Sequence, residues 1–305
     1  MRRFMSLVLV AFAAGAFLVA LGSAAYAQTP PKQPVIDRAP AQVRFRAQPL
    51  VTGHLEGGIA GDELVLQRKR DDVWRTIATG AVDEETRISF RLGELRRSGS
   101  YRLLHVDPAT SMEYISEERV IRVRPRLTLR ISPNHVIKGR QVTVSGRLYP
   151  VAPNRSVAIQ HRVEGSWRSL GTAYVRDGQF ALRVEARRRG YRRIRAVFRG
   201  DQVNTAKRRI AALRVYAPAP ATWYGPGFYG NRTACGQRLT TETLGVAHRS
   251  LPCGTKVALL YGGRTIVVPV VDRGPYSHAD WDLTRKTAER LRFSGSETIG
   301  VDPTS

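Results

Sequence analysis

The chain repeats itself at a spacing of 93 residues, and this restricts much of it to a unit that can be built twice. Thr52-Gly-His-Leu55 recurs as Ser145-Gly-Arg-Leu148, Leu66-Gln-Arg68 as Ile159-Gln-His161, Trp74-Arg75 as Trp167-Arg168, and Thr79 as Thr172. Matches held at one offset indicate two copies of one supersecondary unit. A further pair, Tyr101-Arg102 with Tyr191-Arg192, falls at an offset of 90. Inside the copies, Glu63 to Arg68, Ser156 to His161, Gly178 to Val184 and Tyr191 to Phe198 read as short strands. Asp177-Gly178 and Gly200-Asp201 mark turns between them, and no stretch has a helical period.

Units of roughly 90 residues, built of short strands and each holding the repeated tryptophan, predict immunoglobulin-like β-sandwiches at 41–124 and 125–216. Each would have a buried face and an arginine-rich solvated one. Trp74 and Trp167 are expected in the core or between the sheets, the alternative being platforms for a ligand. Upstream, Met1-Arg-Arg, the uncharged apolar run Leu7 to Leu21 and the small residues of Ala25-Tyr-Ala27 predict a secretory signal at 1–27. The competing reading is an uncleaved N-terminal anchor. No later run is long and apolar enough to span a bilayer, so no stable membrane insertion is expected after signal cleavage. Residues 28–40, with four prolines, read as a linker.

The formal net charge is +24, or +22 once Arg2 and Arg3 leave with the signal. A secreted basic protein meets anionic surfaces such as wall phosphate polymers, acidic headgroups and peptide carboxylates, and salt weakens those encounters. The competing reading is an ordinary solvated surface. No nucleic-acid recognition motif accompanies the charge, and export argues against that partner. Two cysteines, Cys235 and Cys253, are most simply a disulfide outside the cytoplasm. Closing that loop is worth about 3 kcal/mol on the chain-entropy account. A metal site would need more ligands than these two and His248, so neither metal nor cofactor is expected.

Tyr216-Ala-Pro-Ala-Pro-Ala221 ends the second copy and reads as a stiff extended spacer over 217–221. In 222–305, strands are expected near Ala221–Tyr224, Leu244–Ala247, Lys256–Tyr261, Thr265–Val271 and Thr298–Val301. One helix is expected from Thr284 to Leu291, capped by Asp282 or Thr284. Asp272 ends an apolar strand just before a Gly-Pro turn, where a side chain is held firmly yet stays open to a ligand. The pieces Thr222-Trp-Tyr-Gly-Pro-Gly227, Thr233 to Leu239, Val246-Ala-His-Arg-Ser-Leu-Pro-Cys-Gly254, Asp272-Arg-Gly-Pro275 and Trp281-Asp-Leu-Thr284 together resemble the double-psi β-barrel of the rare lipoprotein A family. The absence of a cysteine near the signal cut excludes lipid attachment there and departs from the lipoprotein members. The fold expected for the whole chain is therefore all-β: two immunoglobulin-like sandwich repeats, then a six-stranded double-psi barrel with one short helix.

The resemblance implies a lytic transglycosylase, a carbon–oxygen lyase that cleaves peptidoglycan glycan strands between N-acetylmuramic acid and N-acetylglucosamine and leaves 1,6-anhydro ends. It would act in cell-wall remodelling and lie outside the cytoplasm, associated with the wall. Such a reaction suits a single acid, because the sugar's own 6-hydroxyl is the nucleophile. Asp272 matches the family's acid and His248 its functional histidine. The alternatives are a turn-stabilising Asp272 and a structural His248. Gln237 stands eleven residues before His248, where many active relatives have a glutamate. It cannot ionise but can hydrogen-bond sugar. Gln237, Tyr224, Arg273 and Tyr276 are the expected substrate contacts, with peptidoglycan and anionic wall polymers as partners. Asp282 is expected to cap the helix or bridge the barrel. The competing function, given weight by Gln237, is a non-catalytic wall-binding protein of the expansin kind. A third is an adhesion scaffold built on the sandwich repeats.

Overall fold

A computed structural model describes residues 31–304, so the expected signal at 1–27 lies outside the described residues. The first unit holds β1 (Gln33–Arg38), β2 (Gln42–Arg44), β3 (Leu50–Glu56), β4 (Glu63–Arg70), β5 (Val73–Ala81), β6 (Arg87–Arg91), β7 (Gly99–Val106), β8 (Glu113–Ile115) and β9 (Arg119–Arg124). One sheet runs β1-β3-β6 and the other β2-β9-β7-β4-β5, with β8 on β7. Between them lie Ile36, Leu55, Leu64, Leu66, Tyr101, Leu103 and Ile121. The second unit holds β10 (Arg126–Leu127), β11 (Arg130–Ser132), β12 (His135–Ile137), β13 (Gln141–Tyr149), β14 (Ser156–Val163), β15 (Ser166–Tyr174), β16 (Gln179–Glu185), β17 (Gly190–Phe198) and the start of β18 (Lys207–Tyr224). Its two sheets close over Leu127, Val144, Leu148, Val157, Ile159, Ile194 and Val215.

The repeated glycine has a steric cause. A Cβ on Gly53 would lie 2.4 Å from the Val35 carbonyl oxygen, and one on Gly146 would lie 2.1 Å from that of Thr128. Only glycine lets the neighbouring strand cross so closely. The tryptophans do not enter the core as expected. Arg102 lies over Trp74 at 4.4 Å and donates to Gln67 Oε1 at 2.8 Å. In the second unit Arg195 lies over Trp167 at 4.2 Å and donates to Gln160 Oε1 at 2.7 Å. A guanidinium rather than core side chains covers each indole, combining cation–π attraction with apolar cover. This duplicated stack also corrects the pairing at offset 90. Strand register sets Arg102 opposite Gln67 and Arg195 opposite Gln160, which restores the offset of 93.

Two expected linkers are strands. Gln33–Arg38 lies within the expected 28–40 linker yet pairs with β3, burying Ile36. Residues 217–221 pair with the last strand, Ala217 opposite Val301 through Ala221 opposite Glu297. Pro218 and Pro220 are tolerated because their ring nitrogens point away from that partner; on the far side the Pro220 carbonyl accepts the Asp280 N–H. The alternation of proline and alanine makes an extended strand, not a free spacer.

The remaining elements are β19 (Val246–Ala247), β20 (Lys256–Tyr261), β21 (Arg264–Asp272), β22 (Trp281–Thr284), α1 (Arg285–Leu291) and β23 (Glu297–Thr304). The order β18-β22-β19-β21-β20-β23 closes on itself through β18–β23, giving a six-stranded barrel. Val246, Leu259, Val268, Val270, Leu283 and Ile299 fill it. Thr284, not Asp282, caps α1, accepting from the Thr287 N–H. The strand at Trp281–Thr284 was not expected from the sequence.

Candidate functional site

Asp272 ends β21 at a bulge. Val246 pairs with Val270, but Ala247 pairs with Asp272, so Val271 is the extra residue. A bulge re-aims the side chain that follows it. Here it places Asp272 in one register row with Ala247, Asp282 and Thr222, across β21, β19, β22 and β18. The two aspartates are two strand spacings apart, about 10 Å between backbones. Only the methyl of Ala247 stands between them in that row.

Asp272 Oδ1 accepts the Ala234 and Arg273 N–H groups, both at 2.8 Å. No described residue donates to Oδ2. Asp282 Oδ1 accepts the Thr222 hydroxyl at 2.8 Å. Burial raises the Asp282 pKa; the Thr222 bond opposes this, and the charge of Asp272 adds to the rise. Tyr224 is half-buried, and its enclosed hydroxyl lies beside the Asp272 carboxyl without a well-formed hydrogen bond. Burial, then the nearby Asp272 and Asp282, raise its pKa far above the phenol range. Tyr224 was expected to contact substrate; its hydroxyl lies near the two carboxyl groups.

His248 follows β19 and packs against Trp281, with the rings tilted by 51° and their centroids 4.4 Å apart. Its Nδ1 accepts the N–H groups of Ser250 and Leu251 at 3.2 and 3.1 Å. The neutral ring therefore carries its hydrogen on Nε2, free to donate to a ligand. Burial lowers the His248 pKa, with Arg249 and Arg273 adding to that and Asp280 opposing it.

Arg273 was expected to contact substrate. Its Nη1 donates to the carbonyls of Leu251 at 3.0 Å and His248 at 3.5 Å. Arg249, which the sequence did not single out, donates to the carbonyls of Pro275, Ser277 and Ala279 at 2.7, 2.8 and 2.7 Å. The two arginines tie the histidine loop to the loop after Asp272. Gln237 is exposed, three residues beyond Ala234 on the loop that crosses Asp272, with only its backbone carbonyl engaged, by Thr233. The Cys235–Cys253 disulfide, with a Cα–Cα distance of 5.7 Å, fastens that loop. Tyr276 is 86% exposed, the most open aromatic of the set. The structure thus gathers Asp272, His248 and the Gln237 loop, and adds Asp282 and Ala234. Among the described residues no cluster of His, Cys, Asp and Glu is suited to a metal ion.

Residues 217–302 match the sequence model of the family described as lytic transglycolase, a double-psi β-barrel. A probable endolytic peptidoglycan transglycosylase RlpA of Synechocystis sp. is 51% identical over 87 residues, covering 27% of this chain and 27% of the relative. The endolytic peptidoglycan transglycosylase RlpA of Campylobacter jejuni is 36% identical over 95 residues, covering 30% of this chain and 34% of the relative. The Aquifex aeolicus protein, also named as a probable RlpA transglycosylase, is 43% identical over 79 residues, 25% of this chain and 35% of the relative. These matches span between about a quarter and a third of the relatives' lengths.

Proposed function

We propose, from residues 217–302 forming a lytic transglycolase barrel, that the protein cleaves peptidoglycan glycan strands without water. The observation that carries this reading is Asp272 at the barrel rim, half-buried, with Oδ1 fixed by two N–H groups and no N–H donating to Oδ2 among the described residues. Protonated Asp272 gives its proton to the glycosidic oxygen as the bond to the muramic-acid C1 breaks. The 6-hydroxyl of that sugar attacks C1 and returns a proton to the carboxylate, closing the 1,6-anhydro ring. The acid ends as it began, and no second base is needed. His248 donates from Nε2 to a sugar hydroxyl or acetamide oxygen. Gln237 and Tyr276 contact the chain from the rim. Asp282 and the Tyr224 hydroxyl shape the field behind Asp272.

The domain assignment belongs to the same proposal: a signal at 1–27, immunoglobulin-like sandwiches in the two repeat units, and an exported, wall-associated product. A muropeptide digest tests the activity. The wild type should release anhydro-ended products, and Asp272→Asn should lose at least about a hundredfold of that rate. Products that persist in the variant would reject Asp272 as the acid. Glycan binding with no product from the wild type would favour the non-catalytic, expansin-like reading, for which the exposed Gln237 amide is the specific observation.

A further inference from the structure

The two tandem units carry the same surface trough with different charge: Asp37, Asp83 and Arg87 line the first, and three arginines with no carboxylate line the second. In the first, Thr52, Gly53, Ala81 and Asp83 line an opening of about 590 Å³. In the second, the residues 93 positions later, Ser145, Gly146, Tyr174 and Arg176, line one of about 750 Å³. Strand pairing supports the equivalence to within one residue: Thr52 and Gly53 face Ser89 and Ile88, and Ser145 and Gly146 face Ala181 and Phe180, an offset of 92 on that strand.

The chemistry differs. In the first trough the carboxylates are engaged: Asp37 pairs with His54 at 2.7 Å, and Asp83 accepts the N–H groups of Glu85 and Arg87. In the second, Arg130, Arg147 and Arg176 stand at the offset positions of Asp37, His54 and Asp83, and no carboxylate lines the opening. Three of the unit's four acidic groups, Glu164, Glu185 and Asp201, and Asp302 of the barrel, go instead to Arg188, Arg187, Arg155, Arg189 and Arg214, while Asp177 sits in the turn beside Arg176 without lining the opening. The whole unit follows the same bias. Residues 125–216 hold 21 lysines and arginines against four acidic residues, whereas residues 31–124 hold 16 against 14.

We infer that the trough of the second unit binds an acidic polysaccharide, a sugar chain bearing carboxylate or phosphate groups. Guanidinium forks match those oxyanions in pairs. Tyr174, 74% exposed, offers a ring face for a sugar. Thr172, Ser145 and Gln179 supply hydroxyl and amide partners for its hydroxyls. A bilayer fits less well, because its flat surface would meet the rims of a concavity and leave the polar floor empty. The inference goes beyond the barrel's chemistry and does not depend on it.

The test uses the full chain and polygalacturonate, with neutral dextran as control, in about 50 mM NaCl, where screening is moderate. Polygalacturonate should bind and dextran should not. The triple variant Arg130→Ala, Arg147→Ala, Arg176→Ala should weaken binding by at least about tenfold. A second triple, Arg162→Ala, Arg193→Ala, Arg208→Ala, removes equal charge from exposed positions on β14, β17 and β18 and should change binding by less than about threefold. Tyr174→Ala should weaken binding with no change of charge. Equal losses in the two triples would reduce the effect to diffuse attraction and overturn the site, as would no binding by the wild type. Tighter binding to single-stranded oligonucleotide, or to vesicles with about 30% anionic lipid, insensitive to the trough variants, would also overturn it. None of these readouts involves glycan cleavage, so failure here is distinguishable from failure of the barrel's assigned activity.

Discussion

Asp282 carries the residue-scale consequence that the sequence alone did not suggest. Its carboxyl sits between a hydroxyl donor and a second aspartate, in a place where burial disfavours charge. The folded protein therefore holds a proton on Asp282 more tightly than the unfolded chain does. Stability from this source is complete below the unfolded value of about 3.9 and is lost as pH rises through the higher folded value. Asp282→Asn keeps an acceptor for Thr222 and removes the ionisation. Urea unfolding from about pH 3.5 to 7 should show the wild type losing ground relative to the variant as pH rises. Parallel curves would mean that the carboxyl ionises as freely in the folded protein as in the unfolded chain. His248 shifts the other way. Its Nδ1 is already spent as an acceptor from two N–H groups, so protonation there would turn an acceptor into a donor facing donors. The neutral ring is thereby favoured, and that is the form with one defined donor for a sugar.

At the scale of elements, the loop from Gly230 to Leu239 folds on itself as a small irregular hairpin around an Arg232–Arg238 bridge, and few contacts fix it over Asp272. Gly230 and Leu239 close its ends by hydrogen bonds, Ala234 reaches Asp272, and Cys235 anchors it to Cys253. Replacing both cysteines with serine should cost about 3 kcal/mol in unfolding free energy on the chain-entropy account. It should also speed hydrogen exchange at the Ala234 amide, which reports the Asp272 contact directly. Slow exchange surviving in the variant would show that the loop holds itself. The cysteine pair and the Asp-Arg-Gly-Pro turn were legible in the sequence because each is a local pattern of residue types. The Ala234–Asp272 bond spans 38 residues and the Arg249–Pro275 bond 26, and no local pattern announces contacts at that range. The same limit explains the Pro-Ala stretch. Its extended backbone could be read directly, but its pairing with β23 depends on a strand about 80 residues later. The tryptophans misled for another reason: arginine covers an indole as well as a core does, and the sequence pattern of burial is the same.

For the whole molecule, β18 is the decisive connection, because one strand of 18 residues serves both the second unit and the barrel. In the second unit it pairs with β17 as far as Val215, and from Ala217 it pairs with β23. Between these registers lies Tyr216, 1% exposed, packed with Ala258 and Leu260 of the barrel and Ile137 of the second unit. Its hydroxyl meets His135 Nδ1 at 2.8 Å. Beside it, Arg214 of the second unit bonds Asp302 of the barrel at 2.9 Å, with the Asp302 side chain 6% exposed. A linker would let the barrel turn freely; a continuous strand with a buried aromatic and a sheltered ion pair makes the two units share one unfolding step. Tyr216→Ala removes the shared packing at a cost of about 3–5 kcal/mol, the range for losing a buried aromatic. Calorimetry of the wild type should show one joint transition, and that of Tyr216→Ala a barrel transition separate from that of the second unit. Tyr216→Phe should keep the joint transition and lose only about 1 kcal/mol, the worth of one hydrogen bond. If Tyr216→Ala still melts in one step, the β18 backbone, with the Arg214–Asp302 pair beside it, couples the units without this side chain.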